Sequence, residues 1–131
     1  MAMVAFSVSA QNIDATKVPE AVKSAFTKAY PNITKVQWSK EDGKYEASFK
    51  KDGNSMSTLQ DEKGVIQETE MDIKISELPA SASAYVKENY KGKSIKEASR
   101  ITSANGEITY EAEVAGKDLI FDASGKFIKV S

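Results

Sequence analysis

The chain has 131 residues, with 18 Lys+Arg against 19 Asp+Glu and a net charge of −1, so no basic excess is available for phosphate contacts and a nucleic-acid role is disfavoured. It contains no cysteine and no histidine, which excludes disulfides, thiolate nucleophiles, haem attachment through cysteine, histidine-metal sites and every triad built on imidazole. Apolar residues at 40% suffice for a core but leave no room for a membrane span.

Residues 1–12, MAMVAFSVSAQN, are small and apolar until Gln11. Val8-Ser9-Ala10 has the small-x-small spacing of a secretory cleavage site. The segment reads as the remnant of a signal peptide or a disordered N-terminus, with an ordinary N-terminal strand as the competing reading. Export places the protein in the periplasm or outside the cell. Residues 13–17 are polar and linker-like. Pro19 then opens a helix from a position where its missing N–H is harmless, and Val18, Val22, Ala25, Phe26 and Ala29 form one apolar stripe. Tyr30-Pro31-Asn32 ends it, because the residue before proline is driven out of the helical region.

Four strands are predicted next, over 34–40, 44–50, 55–60 and 65–73. The second alternates: Tyr45, Ala47 and Phe49 face one way, Lys44, Glu46, Ser48 and Lys50 the other. Asp42-Gly43 and Asp52-Gly53 signal tight hairpins. Then the pattern restarts about 60 residues on, with Leu78-Pro79 for Val18-Pro19 and Tyr90 for Tyr30. Leu78, Ala82, Tyr85 and Val86 rebuild the stripe. Strands over 94–102, 107–115, 117–122 and 126–130 follow, with Asn105-Gly106 predicting a type I′ turn. Tyr110-Glu111-Ala112 repeats Tyr45-Glu46-Ala47, and Asp122 with Gly125 repeats Asp61 with Gly64. The expected fold is α+β, a tandem duplication of a helix plus a four-stranded antiparallel meander, with the helices packed on one sheet face. The expected organisation is a single domain over 13–131, made of repeats at about 17–74 and 77–131.

VPEAVKSAFTKAYP, the Val36-Gln37-Trp38 triplet, KEDGKYEASF, DEKG, Glu77-Leu78-Pro79 and YEAEVAGKDLIFDASGKF together resemble the exported PepSY-like, beta-lactamase-inhibitor-like family of Bacteroidetes. The resemblance runs from Val18 to the C-terminus. It implies tandem helix-plus-sheet units and a periplasmic or secreted location. Related inhibitors grip an enzyme with the open face of a sheet, so the resemblance implies protein binding through that face. They also use cysteines to pin their lobes, which this chain lacks.

Two outward faces follow from the alternation, one carrying Lys44, Glu46, Ser48 and Lys50, the other Thr109, Glu111 and Glu113, with Glu107 beyond. They are candidate protein-docking residues; the plain reading is a solvated face with weak cross-strand ion pairs. Trp38, Tyr45 and Tyr110 could line an aromatic cleft but read better as core. Asp61-Glu62 with Asp122 could ligate Ca²⁺, yet they lack EF-hand spacing and read as turn chemistry. Glu111 and Glu113 as a glycosidase-like pair are rejected, since nothing predicts a pocket to raise one pKa. Lys91, Lys93 and Lys96 read as a solvated helix end. No G-x-G-x-x-G or Walker sequence occurs, so no cofactor is expected. The favoured function is a non-enzymatic exported binding module for an envelope or secreted protein, with a homodimer open to it through exposed edge strands. The alternative is a small-ligand or cation carrier of the cell envelope.

Overall fold

Two prolines start two helices of equal length. Helix α1 (Glu20–Ala29) follows Pro19 and helix α2 (Ala80–Asn89) follows Pro79, with proline φ angles of −56° and −55°. The pyrrolidine ring sets that angle in advance, and the absent N–H has no partner to lose at a helix start. Both helices end at a tyrosine that leaves helical dihedrals while its N–H still bonds back, Tyr30 to Phe26 O and Tyr90 to Val86 O, each at 2.8 Å. The computed structural model describes residues 11–131. They divide between Thr69 and Glu70 into two compact units.

The N-terminal unit begins with β1 (Gln11–Ile13), then a 3-10 turn at Ala15–Lys17 that Asp14 caps by accepting from Thr16 N at 3.0 Å. After α1 come β2 (Gln37–Glu41), β3 (Lys44–Lys51), β4 (Asn54–Gln60) and the first half of β5 (Ile66–Ile73). β1 pairs with β2, β2 with β3 and β3 with β4, all antiparallel. Asp42-Gly43 and Asp52-Gly53 have positive φ at both positions, the signature of two-residue type I′ turns. Val18, Val22 and Phe26 from the helix side bury against Trp38, Tyr45, Ala47 and Phe49 from the strands. Phe26 meets Phe49 and Trp38 edge-on at centroid distances of 5.0 and 5.6 Å, the arrangement ring quadrupoles favour.

The C-terminal unit takes the second half of β5, a 3-10 turn at Ile75–Glu77, α2, then β6 (Ile95–Ser103), β7 (Ile108–Val114), β8 (Lys117–Asp122) and β9 (Phe127–Val130). β6 to β9 form an antiparallel meander. Leu78, Ala82 and Val86 pack on Ala98, Ala112, Val114, Leu119 and Phe121, with Tyr110 half-buried at the margin. Trp38, Tyr45 and Tyr110 therefore sit against the core of their own units.

The structure departs from the sequence expectation at two places. Gln11 to Ile13, read as the end of a leader and the start of a linker, form strand β1, with Asn12 opposite Ser39 and Ile13 opposite Trp38. Three residues are too few to show a period, so only the pairing reveals them. The leader reading of residues 1–10 lies outside the described residues. Asn105-Gly106 is not a type I′ turn: Ser103 N bonds Glu107 O, Gly106 N bonds Ser103 O, and Gly106 alone takes positive φ. It is a three-residue loop ending in a left-handed glycine. Asp61 to Val65 and Asp122 to Lys126 close in the same way.

Candidate docking face

In each unit the helix covers the face bearing the apolar members of the alternation. The other face is left to Lys44, Glu46, Ser48 and Lys50 on β3, and to Thr109, Glu111 and Glu113 on β7. The expected docking residues therefore share the side away from the helix within each unit. They are not equally accessible: Lys44 and Lys50 are exposed, Glu46, Ser48, Thr109 and Glu113 half-buried, and Glu111 only 2% exposed.

Hairpin register groups them into rows across the strands. In the N-terminal unit Ser39, Glu46 and Leu59 form one row, and Gln37, Ser48 and Ser57 the next. Ser39 Oγ donates to Glu46 Oε1 at 3.1 Å. Glu46 Oε2 is buried without a hydrogen-bond partner among the described residues. Desolvation raises the Glu46 pKa; the Ser39 hydroxyl opposes the shift and the Glu41 charge adds to it.

In the C-terminal unit the first row recurs as Ser99, Glu111 and Ile120, while the second becomes Glu97, Glu113 and Asp118. Serine, glutamate and an aliphatic residue are thus kept, and a neutral row becomes three carboxylates. A fifth acid enters from β5: Ser99 Oγ lies 2.8 Å from Glu70 Oε2 and 3.2 Å from Glu111 Oε1. One hydroxyl has one proton to donate, so it cannot satisfy both carboxylates. Glu70 is 1% exposed, and burial, then the Glu111 charge, push its pKa from 4.5 to about 9. At neutral pH Glu70 therefore keeps its proton, and a protonated Glu70 can itself donate to Glu111 or Ser99. Glu111 is also raised, by desolvation and then by Asp118. Asp72 is raised by burial and by Glu97, and Asp118 by burial, Glu113 and Glu97.

Two sequence expectations need correction here. Glu111 is not on an exposed strand surface but under it, so a large partner cannot grip its side chain. The ground given for rejecting an acid pair, that nothing raises a pKa, also fails at Glu111. After burial, the Asp118 charge raises it most, while Glu70 and Ser99 hydrogen-bond it; Glu113 contributes least. The buried pair can hold a proton, but 1–2% exposure leaves little room for a substrate to reach it. Sequence reasoning missed Glu70, Ser99, Glu97 and Asp118. The last three were within reach, since the loop after Ser103 sets Ser99 opposite Glu111 and the Ala115-Gly116 turn sets Asp118 opposite Glu113.

Asp61 and Asp122 use their carboxylates as turn caps. Asp61 Oδ1 accepts from Lys63 N and Val65 N at 2.9 Å, and Asp122 Oδ1 from Ser124 N and Lys126 N at 2.9 Å. Among the described residues no group of three or more Asp or Glu is placed to hold a metal ion. Lys91, Lys93 and Lys96 are exposed. No described helix is long and apolar enough to cross a membrane.

The model of a PepSY-like family, described as beta-lactamase-inhibitor-like, matches the chain twice, over residues 6–68 and 60–129. No curated protein matches. Among solved structures, the chain is similar to a BLIP-like protein of Bacteroides fragilis, at 25% identity and a TM-score of 0.67 over 86% of this chain and 85% of that one. It is similar in fold to a DUF2874 family protein of Bacteroides ovatus, at 22% identity and a TM-score of 0.76 over 86% of each chain. A protein of Bacteroides eggerthii provisionally named periplasmic shares the fold at 16% identity and a TM-score of 0.79, over 87% of this chain and 88% of that one.

Proposed function

The chain belongs to the PepSY-like, beta-lactamase-inhibitor-like family, and from that premise we propose that it is a non-enzymatic binding module that engages another protein through the open sheet face of its units. We read the units as two copies of one helix-plus-meander element in a protein of the periplasm or cell surroundings. The name of the Bacteroides eggerthii neighbour supports that location, and the name of the Bacteroides fragilis neighbour supports an inhibitor-like use. One observation carries the reading: on the sheet face away from its helix each unit keeps a Ser–Glu–aliphatic row, while the neighbouring row varies in charge. A constant row beside a variable one is what a scaffold adapted to different partners requires.

The test is affinity capture from cell-envelope extract with wild-type protein and two variants, Lys44→Glu/Lys50→Glu on the N-terminal face and Glu113→Gln/Asp118→Asn on the C-terminal face. The same partner captured by wild type and lost in one variant supports the reading and names the face. A partner retained by both variants removes these faces. The small-ligand alternative predicts instead a rise in melting temperature with Ca²⁺ or a metabolite, by mass action on the native state.

A further inference from the structure

We propose that the outer edge of β9, alongside α2, takes an extended segment of a partner protein as an added strand. That segment alternates acidic and apolar residues. The edge is a second surface, separate from the sheet face proposed above and on the helix side of the C-terminal unit.

The edge itself is the first ground. Strand β9 ends the strand order and pairs with β8 alone among the described strands. Ser131 N bonds Asp118 O at 2.7 Å, and Val130 stands opposite Leu119. Successive residues of an antiparallel ladder point their N–H and C=O to opposite sides, so Val130 turns both away from β8. Among the described residues four large apolar side chains are exposed, and two of them, Ile128 at 49% and Val130 at 47%, share this strand. An added strand supplies the missing main-chain partners and covers both side chains.

A groove beside the edge is the second ground. It lies between α2 and the turn that enters β9, lined by Ala84, Tyr85 and Glu88 on the helix and by Lys126 and Phe127 opposite. Phe127 stacks on Tyr85 at a centroid distance of 4.6 Å and an interplanar angle of 7°, which holds the two walls at a fixed spacing. A strand added ~4.8 Å beyond β9 sends every second side chain toward the helix side. Apolar residues at those positions meet the aromatic pair.

Charge selects the occupant. The Lys126 and Lys129 ammonium groups form no ion pair among the described residues, and Glu88 is the one acid lining the groove. A second copy of β9 brings the same lysines to the pairing, and like charges on paired strands destabilise them. Register leaves Ile128 as a bulge between Phe127 and Lys129. Bulges and lysines keep an edge from joining its own kind, yet here they leave Ile128 and Val130 bare. An acidic strand meets attraction where a copy meets repulsion.

The experiment is a backbone amide NMR titration of the full chain with a short blocked peptide alternating glutamate and valine. Its lysine–valine counterpart and a version with a central proline run beside it. Shifts confined to α2, β8 and β9 are expected with the acidic peptide alone, together with slowed hydrogen exchange at Val130 N–H. Lys126→Gln/Lys129→Gln should weaken binding roughly fivefold, the loss of two exposed ion pairs. Val130→Pro removes an N–H that the β8 ladder does not use and should abolish binding; the glutamine pair carries the test if that proline disrupts β9. Binding should survive Glu113→Gln/Asp118→Asn, so the edge and the sheet face stand or fall separately. No binding of the acidic peptide, equal binding of the lysine or proline peptide, insensitivity to the glutamine pair, or shifts spread over β2–β4 would overturn the inference. Concentration-dependent shifts at the same amides without peptide would overturn it too, in favour of a second copy.

Discussion

Ser99 stands directly opposite Glu111 across the β6–β7 ladder, and its Oγ also reaches Glu70 on β5 at 2.8 Å. One hydroxyl between two buried acids makes the protonation state of this site a term in the stability of the fold.

The pH dependence follows from sign. An acid whose folded pKa is raised holds its proton in the native state after the unfolded chain has lost it, so stability falls as pH rises between the two values. For Glu70 that window runs from 4.5 to about 9. Glu111, Glu46, Asp72 and Asp118 are raised too and act in the same direction. Glu70 faces Glu111 on β7 and Ser99 on β6, with Asp72 on its own strand. Urea unfolding should show stability at pH 8 below that at pH 5 by on the order of 2 kcal/mol. Glu70→Gln should flatten the profile and exceed wild type at pH 8. Asp14 and Asp122, both lowered, act oppositely, below their ordinary value of 3.8. A wild-type profile rising from pH 5 to pH 8 would contradict the assignment.

Ser99→Ala removes the hydroxyl and leaves both acids with each other alone. The expected loss is roughly 1–3 kcal/mol at pH 7, the penalty of an unsatisfied buried acceptor. Ser39→Ala is the matched control: Glu46 is half-buried and has no second acid on its serine, so the loss there should be smaller. Urea midpoints at unchanged slope measure both. Equal losses would show that Glu70 adds nothing to the Ser99 site.

Much of this was legible in the residues because it is locally determined. Pro19 and Pro79 mark helix starts, Asp-Gly pairs mark type I′ turns, and alternation on β3 and β7 separates Ala47 and Ala112 from Glu46 and Glu111. Alternation states which side a residue faces and nothing about how deeply neighbours cover it, so the burial of Glu111 was invisible. Glu70 was missed for another reason. It reaches Ser99 across a connection that contains α2, and no turn residue sets that register.

The two cores differ where the repeat is closest. Gln60, 0% exposed, stands before Asp61 as Phe121, also 0% exposed, stands before Asp122. Gln60 Nε2 donates to Val22 O at 3.0 Å and Gly64 O at 3.1 Å, tying α1 to the turn. Gln60→Leu strands the Gly64 carbonyl and should lose about 1–3 kcal/mol despite its greater hydrophobicity. Phe121→Ala opens a cavity among Leu119, Ala82 and Tyr85 and should lose about 3–5 kcal/mol. A stabilised Gln60→Leu would show that the amide is a packing filler and not a tie.

Gly64 and Gly125 end equivalent turns at φ +94° and +93°, and each turn abuts the start of its unit's helix. A Cβ on Gly64 would fall on the carbonyl oxygen of Ala21 and lie 3.1 Å from Ala25 Cβ; backbone of a helix cannot step aside. A Cβ on Gly125 would meet the Ser81 hydroxyl, which donates to Ser124 O at 2.6 Å, and Pro79 Cβ at 2.8 Å. Gly53, at φ +82°, has nothing within 4 Å and isolates the dihedral strain alone. Gly53→Ala should therefore lose about 1 kcal/mol, the left-handed penalty of an ordinary residue. Gly125→Ala should lose more, because a flexible serine yields but its hydrogen bond is broken. Gly64→Ala should lose the most, about 3 kcal/mol or above, as strain and a backbone collision add. Thermal unfolding of the three variants tests the order, and a Gly64→Ala melting temperature equal to that of Gly53→Ala would remove the collision from the account.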